Sequence, residues 1–216
     1  MKTLAFILKK IDHRFGTFFY QFSRKVYYKI ENFYHAIWRI IDRFRLVYYG
    51  WHYKGRAIKL HLGCGEQHKE ECVNIDWRRT KATDYVCNIR SIPFPSNSVV
   101  SIESYHVIEH LSQKDAIQTL REWYRILEVG GRIIIECPNF DKAIEEYLAG
   151  NNERIFNIFG HHRFSGDAHL FGYNSKRLGE VLDSIGFSEI TELEPKDYHT
   201  LEEPCIRMEA IKISHR

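Results

Sequence analysis

Hydrophobic residues recur every three or four positions along the first fifty residues of the chain, which is the period of an α-helix. Many of them are aromatic, and Lys and Arg crowd the other faces. The pattern predicts a long helix that is apolar on one side and basic on the other. Its apolar stripe comprises Leu4, Leu8, Ile11, Phe15, Phe18, Phe22, Val26, Ile30, Phe33, Ile37, Ile40, Phe44 and Val47.

From Ala57 onward, short apolar runs alternate with helical segments. Alternating strands and helices predict a doubly wound, mostly parallel α/β sheet, and two final strands without a helix between them predict an antiparallel C-terminal edge. Ser112 is the expected helix cap, with Asp115 three residues later. Strands are predicted over 58–62, 72–76, 84–88, 99–104, 132–137, 188–193 and 206–214, and helices over 112–128, 141–148 and 175–186.

Charge divides the chain at the same point. Residues 1–56 carry 12 Lys and Arg against 3 acidic residues, whereas residues 57–216 carry 19 against 25. We therefore predict two parts, a basic, aromatic, amphipathic helical extension over 1–56 and one α/β domain over 57–216. Five cysteines, an odd number without the two-residue spacing of zinc or redox pairs, favour a reducing cytoplasm.

The extension allows more than one interpretation. A helix with an aromatic face and a basic face is typical of an anchor lying on an anionic membrane, here the inner face of the membrane. The same stripe could instead pack on the α/β domain or on a second copy of the chain. Nucleic acid is not an expected partner, because the aromatic residues lie opposite the charge. The oligomeric state stays open.

The loop after the first predicted strand carries two glycines, Gly63 and Gly65, and the second strand ends in Asp76. Closely spaced glycines let a ligand approach the backbone, and a carboxylate at this position can accept hydrogen bonds from the two hydroxyls of a ribose. The third glycine of a dinucleotide fingerprint is absent, and so is a Walker-type lysine. The sequence therefore predicts a nucleoside-containing cofactor without phosphates.

Six segments resemble the class I S-adenosylmethionine-dependent methyltransferases, in the family's order, and specifically the branch found beside polysaccharide and lipopolysaccharide synthesis enzymes. They are KLHLGCG at 59–65, VNID at 73–76, IPFPSNS at 92–98, SYHVIEHL at 104–111, LEVGGRIIIECPN at 127–139 and HLFGYNSKRLGEVLDSIGF at 169–187. The resemblance implies a Rossmann-like, seven-stranded sheet, S-adenosylmethionine as cofactor, and a glycan or lipid-linked saccharide as the methyl acceptor.

The resemblance also implies roles for individual residues. Gly63 and Gly65 would lie against the methionine part of the cofactor, Asp76 would hold the ribose, and Asn88 with Ile89 would flank the adenine. His106 would border the methyl-transfer site. The expected cofactor-binding residues are His61, Gly63, Cys64, Gly65, Asp76, Asn88, Ile89 and His106.

Methylation of a sugar hydroxyl needs a base near the departing proton, which a neutral imidazole or a carboxylate can provide. The predicted catalytic residues are His106, Glu109 and His169. No metal site is expected, because the trio His161, His162 and His169 lacks a carboxylate or thiolate at ligand spacing.

Two other functions fit the same sequence. His61, Gln67 and Asn88 depart from the family pattern, so the fold could serve as a catalytically inactive scaffold held at a membrane by residues 1–56. A methyltransferase acting on a small molecule or a lipid is the third hypothesis, and it differs only in the acceptor.

Overall fold

A computed structural model describes the backbone of residues 2–52, 57–163 and 166–214, and the side chains of residue 22 and of residues 25–52, 57–163 and 166–214. The predicted N-terminal helix is present as α1 (Lys2–His52). The predicted stripe positions from Leu4 to Phe18 lie outside the described side chains.

The chain beyond α1 forms the predicted seven-stranded sheet, in the order β3-β2-β1-β4-β5-β7-β6. Strands β1 to β5 run parallel, and β7 pairs antiparallel with both β5 and β6. The predicted mostly parallel sheet with an antiparallel C-terminal edge is confirmed. The strands are β1 (Lys59–Leu62), β2 (Val73–Asp76), β3 (Tyr85–Val86), β4 (Val99–Tyr105), β5 (Leu127–Pro138), β6 (Phe187–Leu193) and β7 (Cys205–Lys212).

Four further helices accompany the sheet: α2 (Gln113–Ile126), α3 (Phe140–Leu148), α4 (Arg154–Phe159) and α5 (Ser175–Ile185). Ser112 caps α2 by accepting a hydrogen bond from the backbone N–H of Asp115, as predicted. Gly186 ends α5 in the left-handed conformation, with φ of 112°. The connection from β1 to β2 contains no helix, so the short crossover leaves the glycine loop open at the carboxyl end of β1.

Several boundaries differ from the prediction: β5 begins at Leu127 instead of residue 132, and β3 covers only Tyr85–Val86 instead of 84–88. Helix α2 ends at Ile126 rather than near residue 128, because Leu127 already pairs with Val99 as the first residue of β5. Gly130 and Gly131 therefore lie inside a strand instead of stopping a helix. Helix α4 was not predicted, since six residues are too few for a helical period to stand out.

The C-terminal third of α1 packs on the α/β domain through a face that carries both polar and apolar residues. Asp42 is fully buried, and its carboxylate accepts hydrogen bonds from the backbone N–H of Val86 at 2.8 Å and from Arg79 at 3.3 Å. One turn further along, Leu46 is also fully buried and belongs to the hydrophobic core. The division at residue 57 stays a prediction, but the core of the domain includes residues from the extension.

The predicted apolar stripe lies on the opposite side of α1, exposed. Asp42 and Phe44 are about 200° apart around the helix axis, since each residue turns it by about 100°. Phe44 is 73% exposed, and Phe33 is 69% exposed. The stripe itself therefore does not pack on the domain. Among the described residues, no helix is both long enough and apolar enough to cross a membrane.

Candidate active site

The turn after β1 forms the floor of a cavity at the carboxyl ends of the parallel strands. Gly63 has φ of 73°, and its N–H donates to the carbonyl of Ile75 at 2.8 Å. A Cβ on Gly63 would lie 2.2 Å from the side chain of Val107. Glycine is thus required here by both its backbone conformation and its close neighbour.

Asp76 ends β2 and is almost completely buried. One carboxylate oxygen accepts from the N–H of Gly65 and the other from the N–H of Arg78, both at 2.9 Å. Burial raises the pKa of Asp76, while these two hydrogen bonds act in the opposite direction. The carboxylate therefore orders the glycine loop. Each oxygen has a second lone pair, so this role leaves room for hydrogen bonds to a ligand.

The cavity over this turn has a volume of about 530 Å³, within the range of small-molecule sites. Six of the predicted cofactor-binding residues line it together: Gly63, Gly65, Asp76, Asn88, Ile89 and His106. The structure adds residues that the sequence did not indicate, among them Arg39 from α1, Trp77 after β2 and Val107. We call this space the cofactor cavity.

Two predicted cofactor contacts, His61 and Cys64, do not line the cofactor cavity in the described structure. His61 is buried inside the sheet, where its Nδ1 lies 3.1 Å from the side-chain oxygen of Asn74. Cys64 is also buried, with its thiol 3.8 Å from the hydroxyl of Thr83. Burial raises the pKa of the Cys64 thiol to about 12, so it stays protonated. Both side chains serve packing here, and their contact with a cofactor stays a prediction.

A second cavity, of about 490 Å³, adjoins the first, and His106 and His110 line both. Its walls are mostly polar and come from the end of β4, from α4, and from the loops around residues 161–169 and 198–203. The three predicted catalytic residues, His106, Glu109 and His169, all line it. We call it the acceptor cavity.

His106 lies between the two cavities in a left-handed conformation, with φ of 52°. Its Nδ1 lies 3.4 Å from a carboxylate oxygen of Glu109 and 3.3 Å from one of Glu203, and its Nε2 lies 3.7 Å from the thiol of Cys205. Burial alone would lower the pKa of His106, but the contacts with Cys205 and Glu109 outweigh it and raise the pKa to about 11. In this state His106 is a cation at neutral pH.

Glu109 and His169 are both deep in the acceptor cavity. The Glu109 side chain is 3% exposed, and burial alone would raise its pKa, yet the neighbouring histidines lower the pKa to about 2. Burial lowers the pKa of His169, so this imidazole is neutral at neutral pH. Three titratable side chains with different charges therefore meet at one wall.

The sequence analysis missed a pair of residues in the loop between β6 and β7. The Nδ1 of His199 donates to the carboxylate of Asp197, and the His199 ring lies against that of His106 with centroids 3.8 Å apart. Burial and the charge of His106 lower the pKa of His199. A carboxylate two residues before a histidine was the available signal, but nothing in the sequence indicated that this loop reaches the end of β4.

Glu136, at the end of β5, fixes the position of this loop. It is fully buried, accepts from the backbone N–H of Asp197 at 2.8 Å, and pairs with Arg207 at 2.9 Å. Because a buried carboxylate needs such partners, the loop between β6 and β7 is held against the sheet. The His199 ring is therefore held by a rigid element.

Comparison with known proteins agrees with this geometry. A family described as "Methyltransferase domain" matches residues 60–135, which run from β1 through most of β5. A probable S-adenosylmethionine-dependent methyltransferase of Mycolicibacterium smegmatis is 26% identical over 151 residues, 62% of this chain. The chain spans 52% of the length of that relative.

Solved structures share the fold. A SAM-dependent methyltransferase from Archaeoglobus fulgidus superimposes with a TM-score of 0.52 at 16% identity, covering 81% of this chain and 94% of its own. One from Methanosarcina mazei gives a TM-score of 0.53 at 13% identity, covering 76% and 97%. Residues 60–135 therefore match a methyltransferase domain, and the fold of the chain is that of solved SAM-dependent methyltransferases.

Proposed function

We propose that this chain is a class I S-adenosylmethionine-dependent methyltransferase. It methylates a hydroxyl of a saccharide, either within a glycan or on a lipid carrier at the inner membrane face. The observation that carries the proposal is the pair of adjoining cavities, which share His106 and His110. The first cavity has the features of a nucleoside site. A side chain that lines both cavities, such as His106, can contact a ligand in either one.

The cofactor cavity suits S-adenosylmethionine. It combines a glycine turn that excludes side chains with a buried carboxylate that has lone pairs to spare. When bound, this cofactor supplies an electrophilic methyl group on a sulfonium. The residues of the chain would then bind it through Asp76 and the backbone of the glycine turn.

The lining of the acceptor cavity favours a hydroxyl-rich molecule. Acidic, amide and imidazole side chains make up most of the wall, among them Glu153, Asn157 and Glu202. Phe156 and Tyr198 are partly exposed at the same cavity, where aromatic rings can contact the apolar face of a sugar. An apolar lipid tail or a flat aromatic acceptor would leave these polar groups without partners.

The base that fits this cavity best is His199. Its Nδ1–H donates to Asp197, so the neutral ring keeps an unprotonated Nε2, and its lowered pKa keeps it neutral at physiological pH. This nitrogen can accept the proton of an acceptor hydroxyl. Of the three residues proposed from the sequence, His106 already carries its proton, and Glu109, with its lowered pKa, is a weak base. His169 is neutral too, but it lacks the carboxylate partner that His199 has in Asp197.

The exposed stripe of α1 supports attachment to a membrane surface. Phe22, Ile30 and Ile40 join Phe33 and Phe44 on one face, each more than half exposed. The cations Lys25, Lys29 and Arg43 lie along one flank of this stripe, about 40° to 80° from it. Apolar side chains beside cations favour the boundary of an anionic bilayer, with each cation contributing about 1 kcal/mol.

The cofactor assignment is tested by calorimetric titration of S-adenosylmethionine into the full chain. We expect micromolar binding that falls at least tenfold in Asp76→Asn, while Glu66→Gln, an exposed acid in the same loop, binds as the wild type does. Circular dichroism verifies the fold of each variant. A folded wild type that binds neither S-adenosylmethionine nor S-adenosylhomocysteine would favour the inactive scaffold instead.

The acceptor class is tested by transfer of a labelled methyl group to a panel of free saccharides, lipid-linked saccharides and sugar-free lipids. Label on a saccharide supports the proposal, and label on the sugar-free lipids alone overturns it.

Membrane attachment is tested by flotation: the full chain should float with vesicles that contain anionic lipid and not with neutral ones. Phe44→Glu should reduce flotation without lowering stability, and equal flotation of both forms would contradict the role of the stripe.

A further inference from the structure

Three side chains with metal-binding atoms, Glu109, His110 and His169, meet in the wall of the acceptor cavity. Glu109 and His110 belong to a 3₁₀ turn, Ile108–His110, directly after β4. The segment that follows His169 is hydrogen-bonded to this turn, because the N–H of Leu170 donates to the carbonyl of Glu109 at 2.7 Å. The backbone therefore brings together residues that are far apart in the sequence.

The Glu109 carboxylate has an unusual environment. It is fully buried, and among the described residues neither of its oxygens receives a hydrogen bond. The nearest polar hydrogen-bearing group is the Nδ1 of His106 at 3.4 Å, which is equally close to Glu203. The His106 cation is shared with Glu203 and donates no hydrogen bond to Glu109, so the buried carboxylate can accommodate a second positive partner.

Both histidines, His110 and His169, keep an unprotonated Nε2 that can bind a metal ion. The Nδ1 of His110 lies 3.1 Å from the carbonyl of Ala168, and the Nδ1 of His169 lies 2.8 Å from the carbonyl of Asn157. A carbonyl only accepts, so Nδ1 carries the proton in each neutral ring and Nε2 keeps its lone pair. Metal-binding histidines typically have this arrangement, in which a carbonyl fixes the tautomer.

We propose that Glu109, His110 and His169 bind a divalent transition-metal ion of the zinc class through one carboxylate oxygen and two Nε2 atoms. One ligand atom from each residue lies within 4.8 Å of the other two, and the oxygen of Glu109 is 3.9 Å from the Nε2 of His110. Donor atoms around a tetrahedral zinc lie about 3.3 Å apart. Side-chain shifts of about 1 Å would close the set.

The donor set decides the class of ion. Two imidazoles and one carboxylate suit zinc and its neighbours among the transition metals, whereas magnesium and calcium prefer oxygen ligands throughout. Three protein ligands leave a fourth position open, and here that position faces a polar cavity. An oxygen of the acceptor can occupy it, and binding to the ion would acidify a hydroxyl. This use of the ion rests on the proposed function, whereas its binding does not.

The test is a metal titration of the full chain after treatment with a chelator. Cobalt(II) reports the site through its visible absorption, and elemental analysis after gel filtration counts the zinc that is retained. We expect one equivalent in the wild type and at least a tenfold loss of affinity in Glu109→Gln, which keeps the shape of the side chain. His169→Ala should give the same loss.

His161→Ala is the matched control, since His161 lies in the same cavity but is exposed and stacked on Phe156. Its metal affinity should equal that of the wild type. The proposal is overturned if the folded wild type retains less than a tenth of an equivalent, in which case the imidazoles of His106 and His110 are what Glu109 pairs with. It is also overturned if His161→Ala loses as much affinity as Glu109→Gln, since binding would then be a property of surface histidines.

The same samples are titrated with S-adenosylmethionine, which separates the two proposals. Metal binding without cofactor binding would remove the methyltransferase function and leave the metal site in place. Cofactor binding by a chain that takes up no metal would remove the metal site alone.

Discussion

The docking of α1 through Asp42 gives a prediction whose size can be worked out from the contacts. Asp42→Ala removes the acceptor of the Val86 N–H, and an unsatisfied buried donor costs about 1 to 3 kcal/mol. It also removes the ion pairs of Asp42 with Arg79 and Arg45, whose side chains are 29% and 50% exposed. Partly exposed pairs contribute about 0 to 1 kcal/mol. The expected loss is therefore about 1 to 5 kcal/mol.

Urea unfolding of the full chain, followed by circular dichroism, measures this loss as a difference in the free energy of unfolding. Asp42→Asn should cost about 1 to 2 kcal/mol, because the amide oxygen can still accept from Val86 while the charge is gone. Phe44→Ala is the matched control on the exposed face and should change the free energy of unfolding by less than about 0.5 kcal/mol. A loss below about 0.5 kcal/mol in Asp42→Ala would refute the reasoning and separate α1 from the cooperative fold.

Two further predictions concern the cavities. Gly63→Ala should lower both the free energy of unfolding and the affinity for S-adenosylmethionine, because its Cβ would lie against Val107. The control is Gly130→Ala, which has a similar φ but open space around it and should lose only about 1 to 2 kcal/mol through backbone strain. Equal losses of stability in the two variants would disprove the steric argument. The rate of methyl transfer should rise with pH through the lowered pKa of His199 and level off above pH 6.5, since only the neutral ring accepts a proton. Asp197→Asn should reduce this rate. A rate that continues to rise with pH above 6.5 would exclude His199 as the base.

Most of the fold could be predicted from the sequence because its signals are local. The cap at Ser112 and the left-handed end at Gly186 depend only on neighbouring residues, and the structure has both. The cofactor cavity was also predictable in outline, since the glycine turn and Asp76 end adjacent parallel strands. His61 and Cys64 were placed by position in a motif, and the pleat of the strand and the turn of the loop decide where such side chains point.

The docked face of α1 could not be read from the hydrophobic pattern. The usual rule buries the apolar side of a helix, yet here the buried side carries His35 and Asp42. This face is buried because the α/β domain needs a polar group there. The N–H of Val86, on the two-residue strand β3, requires an acceptor, and Asp42 provides it. Polar complementarity of this kind depends on the tertiary arrangement and leaves no periodic signal.

The proposed metal ligands were missed for a related reason. The sequence analysis grouped His169 with His161 and His162 because they are close in the chain, and it found no carboxylate among them. In the structure Glu109 supplies the carboxylate from the end of β4, and the hydrogen bond from Leu170 to its carbonyl makes the contact. Spacing along the chain cannot reveal a ligand that arrives through a backbone pairing between distant segments.

The two cavities are built from different stretches of the chain, and under the proposed function this separates the choice of acceptor from the binding of the cofactor. The cofactor cavity comes mostly from residues 63–111, inside the region that matches the family. Apart from the turn at 106–110, the acceptor cavity comes from residues 153–203, outside it. Substrate preference can thus change by exchange of the later stretch alone. A chimera that carries residues 139–204 of a relative should gain the relative's acceptor while keeping the parent's affinity for the cofactor.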